Sequence, residues 1–400
     1  MNRRSFIALV GGGVVLAATA SATAFALTRT PDAALAPWRA AGGSAYAEPR
    51  MRALSYAILA PNPHNRQPWQ VELRGDDQVV LTADLDRLLP HTDPFNRQIT
   101  IGLGCFLELM TMAAARDGYR VDLDLFPEGE TAEGLTARPV AIATFTVDPA
   151  ATADPLFDQV AGRRSNKEPY DTTRPVPDAA LSGVLAAGRH GTRLAGVNAE
   201  ADVAFWRQLT SDALRIEIET PLTYKESIDL FRIGKAEVNA NPDGIDFSGT
   251  LFESLALAGQ FDREILLDTS SSAYRQGAAA VLANTETAMA HVFMVTPGNR
   301  RTDQINAGRD WLRVNLAATR EGLGFQPLSQ ALQEYPEMAA LHAKIHARLA
   351  PEGGTVQMLA RLGYGPAVDV SPRWPVEAKI VRRSYSAARL FSRAKVAVNL

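Results

Sequence analysis

The sequence predicts an α+β protein of two related halves, one of them carrying a large helical insertion. Three observations predict it. Apolar residues switch along the chain between helical spacing and strand-like alternation. Residues 104–119 are echoed without a gap by residues 308–323, so that Ala113-Ala114-Ala115-Arg116-Asp117-Gly118 faces Ala317-Ala318-Thr319-Arg320-Glu321-Gly322. Residues 203–280 have no counterpart in the first half. Two copies form a duplication rather than a solenoid. The echo places one long central helix from each half in a shared core, as in a dimer built within one chain.

At 400 residues and 46% hydrophobic, the chain is long and apolar enough for a sizeable core. A net charge of −3 offers no basic surplus for nucleic acid. Cys105 is the sole cysteine, which excludes an intrachain disulfide and a cysteine-built metal site.

Taken in order, the chain opens on Arg3-Arg4-Ser5-Phe6-Ile7 and an uncharged stretch to residue 27 with A-x-A-like sites. This pattern predicts an export signal over residues 1–27. The paired arginines point to the twin-arginine translocase, and to the periplasm or the outer face of the cytoplasmic membrane as destination. The stretch is also just long enough to span a bilayer, so a retained anchor stays open. Its glycines and alanines favour a signal. Residues 28–48, rich in proline and alanine, read as a linker.

The first half covers residues 49–150. A helix over 47–60 leads into a loop with Pro61, Pro63 and Pro68, where regular helix is ruled out. This loop is either a plain helix-to-strand turn or a rigid binding loop. Strands 70–74 and 78–83 flank Gly75-Asp76-Asp77 as a hairpin. Residues 101–117 are apolar on almost every face and predict a buried helix. Strands follow over 119–126 and 140–147, the latter paired in the echo with 290–295. The second half covers 151–383. Its insertion, about 203–280, predicts helices over 205–218, 251–258 and 273–282. It is either a lid over a pocket or a set of peripheral helices. Residues 384–400 form a basic tail.

Gly162-Arg163-Arg164-Ser165-Asn166-Lys167 is the second informative cluster. Arginine forks with a serine hydroxyl suit a phosphate, although the same residues can start a solvated helix. No dinucleotide fingerprint or Walker loop is present. His342 and His346 have metal-sharing spacing, but no third ligand is placed for them. Thr269-Ser270-Ser271-Ser272 reads as a loop or helix cap. His64 is the histidine singled out, because the prolines around it fix the backbone.

Three separated pieces resemble the FMN-dependent nitroreductase family. Ala60-Pro61-Asn62-Pro63-His64-Asn65-Arg66-Gln67-Pro68-Trp69 is similar to its A-P-S-x-x-N-x-Q-P-W loop. Arg163-Arg164-Ser165-Asn166-Lys167 is similar to its R-R-S-x-R/K phosphate motif. Glu321-Gly322-Leu323-Gly324, Pro327-Leu328-Ser329-Gln330 and Arg361-Leu362-Gly363-Tyr364-Gly365 are similar to its C-terminal elements. The order of the pieces, the doubled length and the paired arginines resemble the Acg-type branch. The resemblance implies a nitroreductase-like fold arranged as an internal pseudo-dimer. It implies that Arg163 and Ser165, with Arg164 in the same motif, hold the phosphate of FMN. Lys167 would lie by the pyrimidine edge, and Arg373 would reach the phosphate from the C-terminal side. Pro327, Leu328, Ser329 and Gln330 would approach the ring through their backbone. Pro61, Asn62, Pro63 and Asn65 would come from the other half, with Asn65 and Gln67 bonding the flavin or bracing the loop. The mirror position lacks the phosphate motif, which implies one FMN per monomeric chain.

Asn62 and Pro63 depart from the small residues of the family loop, and His64 adds bulk where a substrate would stack. Three functions follow as expectations. The first is an oxidoreductase passing electrons from NAD(P)H or a quinol to a nitroaromatic or quinone-like acceptor. The second is a flavin store closed by the insertion. The third is a relic that binds no flavin.

Overall fold

The computed structural model describes residues 28–381. The expected export signal at 1–27 and the basic tail at 384–400 lie outside the described residues.

Helix α1 (Asp32–Ala40) is followed by α2 (Pro49–Ala57), where the Glu48 carboxylate accepts from the Met51 N–H at 2.8 Å and Pro49 opens the first turn. Strands β1 (Trp69–Arg74) and β2 (Gln78–Ala83) then form an antiparallel hairpin. Helix α3 (Arg97–Arg116), β3 (Tyr119–Leu125) and β4 (Pro139–Val147) complete the first half. Its antiparallel sheet has the order β1-β2-β4-β3.

The second half begins with α4 (Asp178–Leu185) and β5 (Arg193–Val197). The insertion follows as α5 (Glu200–Glu219), α6 (Pro221–Asp229), β6 (Phe231–Ile233), α7 (Gly234–Ala240), β7 (Ile245–Phe247), α8 (Thr250–Leu257), α9 (Arg263–Leu267) and α10 (Ser272–Thr285). Ser271 caps α10, its hydroxyl accepting from the Tyr274 N–H at 3.0 Å. Then come β8 (Ala290–Thr296), α11 (Arg301–Arg320), β9 (Gly324–Pro327), α12 (Ala339–Leu349) and β10 (Thr355–Gly363). The sheet order is β5-β8-β10-β9, again antiparallel.

Apart from the insertion and α12, both halves run α-β-β-α-β-β with one strand order. This connectivity corrects one detail of the echo. Residues 290–295 fall in β8, which takes the place of β2, and the counterpart of β4 is β10. Short buried strands resemble one another in composition, so matching them by sequence misses connectivity. The insertion leaves the sheet between β5 and β8, where the first half has the tight turn Gly75-Asp76-Asp77. A surface hairpin tip tolerates such growth because no core contact is broken.

The expected linker at 28–48 also differs, because it contains α1. Ala34 and Pro37 are buried, and Trp38 packs against the main core. Docking of this apolar face overrides the weak local signal of a proline-rich segment.

Helices α3 and α11 form the centre of that core. Gly104 of α3 and Gly308 of α11, the first aligned pair of the echo, face each other. A Cβ on Gly104 would meet the Ile305 carbonyl oxygen, and one on Gly308 that of Ile101. The Cys105 thiol donates to the Gly308 carbonyl at 3.1 Å, and burial pushes its pKa up to about 12.

Gly308→Ala is expected to cost on the order of 1–3 kcal/mol or more, because backbone rather than a flexible side chain must yield. Gly277→Ala, in α10 with nothing within 4 Å of the added Cβ, should gain up to about 1 kcal/mol. Urea unfolding of both variants checks the contrast.

Candidate functional site

The loop after α2 turns through Pro63–Asn65 with positive φ at His64 (45°), Asn65 (51°) and Gln67 (50°). Non-glycine residues adopt this region at a cost of order 1 kcal/mol each, so the surroundings must hold them there. They do so from three directions. Within the loop, Asn62 Oδ1 accepts from the Gln67 N–H at 2.7 Å. From the insertion, the Pro242 carbonyl accepts from Gln67 Nε2 at 2.7 Å. From the C-terminal side, the Trp374 N–H donates to Gln67 Oε1 at 2.9 Å, and Asn65 Nδ2 donates to the Pro372 carbonyl at 3.0 Å. Both amides, Asn65 and Gln67, are therefore engaged as braces. Pro63 and Asn62 lie against Gly102 of α3.

Arg163 and Arg373 meet beneath this loop, 4% and 2% exposed. Both donate to the Leu59 carbonyl, at 3.1 and 3.2 Å. Arg373 also donates to Ala60 O at 3.2 Å, Pro372 O at 2.9 Å and Asn65 Oδ1 at 2.6 Å. Its Nε is buried without a partner. Among the described residues, no carboxylate forms an ion pair with either arginine. Burial lowers the Arg163 pKa to about 10, and Arg164 adds to the effect. Burial, then the charge of Arg163, pulls Arg373 well below its ordinary value. Two buried cations with no counter-charge are costly, and a bound anion relieves the cost. The orphaned Nε and the missing acid fit a phosphate group, with the half-buried Ser165 hydroxyl in the same turn. Arg164 is directed elsewhere, donating to Val368 O at 3.2 Å and Ala161 O at 2.8 Å.

The Asn166 N–H donates to Phe325 O at 2.8 Å, which fastens this basic turn to β9. Beyond β9, Leu328 is buried in a second core cluster and its N–H donates to Leu359 O. The Ser329 hydroxyl donates to Gln98 Oε1 at 2.9 Å. Gln330 Oε1 is buried without a partner, and Pro327 pairs with Ala360.

A second set of charges gathers around Lys167. Burial lowers its pKa against the pull of Glu217. Burial takes His64 down to about 4, followed by the charges of Lys167 and Arg66, so the imidazole is neutral at pH 7. Glu217 of α5 was not foreseen. Burial raises it to about 7; Glu226 adds to this, while the Gln333 hydrogen bond and Lys167 oppose it. Gln333 Nε2 donates to Glu217 Oε2 at 2.6 Å, while Gln333 Oε1 and the Tyr335 hydroxyl are buried without partners. The signal was present in the spacing: Trp206, Thr210, Ala213 and Glu217 mark one buried stripe of α5.

The corresponding loop of the other half is held by charged contacts. The loop between α4 and β5 is held by Asp310, whose carboxylate accepts from the N–H groups of Arg189 at 2.6 Å and His190 at 3.0 Å and from the Thr192 hydroxyl at 2.6 Å. Glu108 lies 2.9 Å from His190 Nε2, 2.9 Å from Arg309 Nε and 3.1 Å from Arg313. Burial opposes its ionisation, but the His190 hydrogen bond and these charges hold it at about 2.

His342 and His346 stack at 4.1 Å, and both His346 ring nitrogens bond backbone, to His342 O at 2.9 Å and the Val356 N–H at 3.1 Å.

No family model matches the chain. It is similar to two Mycobacterium tuberculosis proteins, both provisionally named NAD(P)H nitroreductases. To Rv3131 it is 26% identical over 324 residues, 78% of this chain and 84% of that one. To acg it is 26% identical over 340 residues, 81% of this chain and 93% of that one. Among solved structures, the FMN-dependent nitroreductase NfnB from Mycobacterium smegmatis, in complex with NADPH, aligns at a TM-score of 0.34 and 16% identity, covering 57% of this chain and 96% of that one.

Glu217 has a testable linkage. Its folded pKa, about 7, lies above the ordinary carboxylate value of about 4.5, so stability is full below the lower value and falls as pH rises through the higher. Glu217→Gln, which keeps an oxygen for Gln333, should raise the melting temperature more at pH 8 than at pH 5. An equal difference at both values would contradict the assignment.

Proposed function

We propose that the chain is an FMN-binding oxidoreductase of the nitroreductase family, its two halves forming an internal pseudo-dimer around one flavin. The observation that carries this reading is the Arg163–Arg373 pair, buried without an acid under the proline loop. Arg163, Ser165 and Arg373 would hold the phosphate, and Lys167 would face the pyrimidine edge. His64, neutral beside Lys167, would stand where an acceptor stacks. Bound FMN would supply a two-electron carrier between a donor, NAD(P)H or a quinol, and a nitroaromatic or quinone-like acceptor. The names of the two mycobacterial relatives agree with this class of reaction. The repeated strand order and the Gly104–Gly308 crossing support the pseudo-dimer. The ion network around Glu108 supports one flavin rather than two. Export by the twin-arginine route, as the first residues suggest, belongs to the same proposal.

A second reading, a flavin store, is favoured by how firmly the insertion grips the loop. Gln67 donates to Pro242 O, the Gly244 N–H donates to Asn65 O, and Arg87 pairs with Asp243 of the insertion. A pocket clasped in this way would release its cofactor and admit substrates slowly.

Anaerobic mixing of the FMN-loaded protein with NADPH, NADH and a soluble quinol separates the readings. Bleaching by a donor and reoxidation by a nitroaromatic identifies the enzyme; bright flavin with every donor identifies the store. Arg163→Ala combined with Lys167→Ala should lose the flavin. Purified protein that is colourless and takes up no added FMN would overturn both readings.

A further inference from the structure

Helix α1 does more than dock on the core. The indole of Trp38 spreads over three guanidiniums at once, with Cζ atoms of Arg163, Arg164 and Arg373 at 5.9, 5.4 and 5.5 Å from the ring centroid. Aromatic faces hold cations in this way. Trp38 Nε1 donates to Ser371 O at 2.8 Å, which fixes the ring against the segment that carries Arg373. The Arg373 N–H donates to Ala34 O at 2.9 Å. On its other side the helix is tied to the insertion: the Ala34 N–H donates to Asn239 Oδ1 at 3.0 Å, Arg29 pairs with Glu253 at 3.0 Å, and Lys235 Nζ donates to Thr28 O at 3.0 Å. Residues 28–40 thus run as a strap from the insertion across the outer side of the arginine pair. The pair lies between the proline loop, which it bonds, and the indole, which covers it.

We infer that this strap is a specificity device, with Trp38 closing the site immediately beyond the phosphate. The inference rests on the arginine pair holding a flavin phosphate. A ribityl monophosphate held by the guanidiniums would end at them. A dinucleotide would have to continue past them, on the side that Trp38 and α1 occupy. The site therefore takes a flavin ending in a phosphate monoester and rejects one extended by a second phosphate and a nucleoside. Trp38 is a positioning and excluding residue rather than a catalytic one.

Fluorescence titration of the flavin-stripped full chain with FMN and with FAD tests this. Wild type should favour FMN on the order of 100-fold, the range that shape-based exclusion reaches. Trp38→Ala should bring the two affinities close together by admitting FAD, and Trp38→Phe, which keeps an aromatic cover, should retain most of the preference. Equal FMN and FAD affinities in wild type, or an unchanged ratio in Trp38→Ala with FMN still bound, would overturn the role of the strap while leaving the flavin site standing. Wild type that binds neither flavin would overturn the site itself, and the strap with it. Melting curves of each variant separate exclusion from misfolding: a Trp38→Ala chain that melts as wild type and keeps its FMN preference counts against the inference.

Discussion

Two buried guanidiniums sharing one backbone carbonyl are the constraint on which the rest of the site depends. Arg163 and Arg373 come from places far apart in sequence and both donate to Leu59 O. Their like charges repel in a low-dielectric setting, where such repulsion is poorly screened. The surroundings answer with neutral oxygens: the loop following α2 supplies the carbonyls of Leu59 and Ala60 and the side-chain oxygen of Asn65. Trp38 adds the face of an aromatic ring. This arrangement lowers the cost of burying the cations without neutralising them. The residual positive field is what a phosphate would meet.

The same constraint bears on the two sheets with one strand order. The two central helices touch at glycines, so the halves approach too closely for side chains to intervene. That approach puts the loop following α2, from the first half, against the basic turn preceding α4, from the second. In the mirror position, the loop preceding β5 is tied to Asp310, and Glu108 is ringed by His190, Arg309 and Arg313. The two corresponding positions thus differ: one holds the Arg163–Arg373 pair, the other an ion network around Glu108. The insertion grows from a hairpin tip in the second half and reaches back to clasp the loop of the first through Pro242 and Gly244.

Much of this was legible in the residues. The β1–β2 hairpin, the buried α3 and three helices of the insertion, α5, α8 and α10, follow from local spacing and turn chemistry, whereas α6, α7, α9 and the short β6–β7 pair were not expected. The proline loop and the basic turn were legible because prolines and clustered arginines are uncommon and chemically pointed. What escaped was decided by tertiary contact. Helix α1 reads as a linker because Pro31, Pro37 and its alanines carry little periodic signal; burial of Ala34 and stacking of Trp38 on arginines distant in sequence make it a helix. The counterpart of β4 was misassigned because only hydrogen-bond pairing distinguishes β8 from β10. Glu217 was passed over because a single acid on a mixed helix looks solvated until Gln333 and Lys167 close around it.

The central claim is that the arginine pair is a phosphate site, and one comparison tests it most directly. Isothermal titration of the flavin-stripped chain with FMN and with riboflavin changes only the phosphate. Charge-assisted hydrogen bonds contribute about 1.5–3 kcal/mol each, so two of them predict FMN binding tighter by a factor on the order of 100 or more. Equal affinity for the two ligands would mean that the buried arginines serve the fold alone.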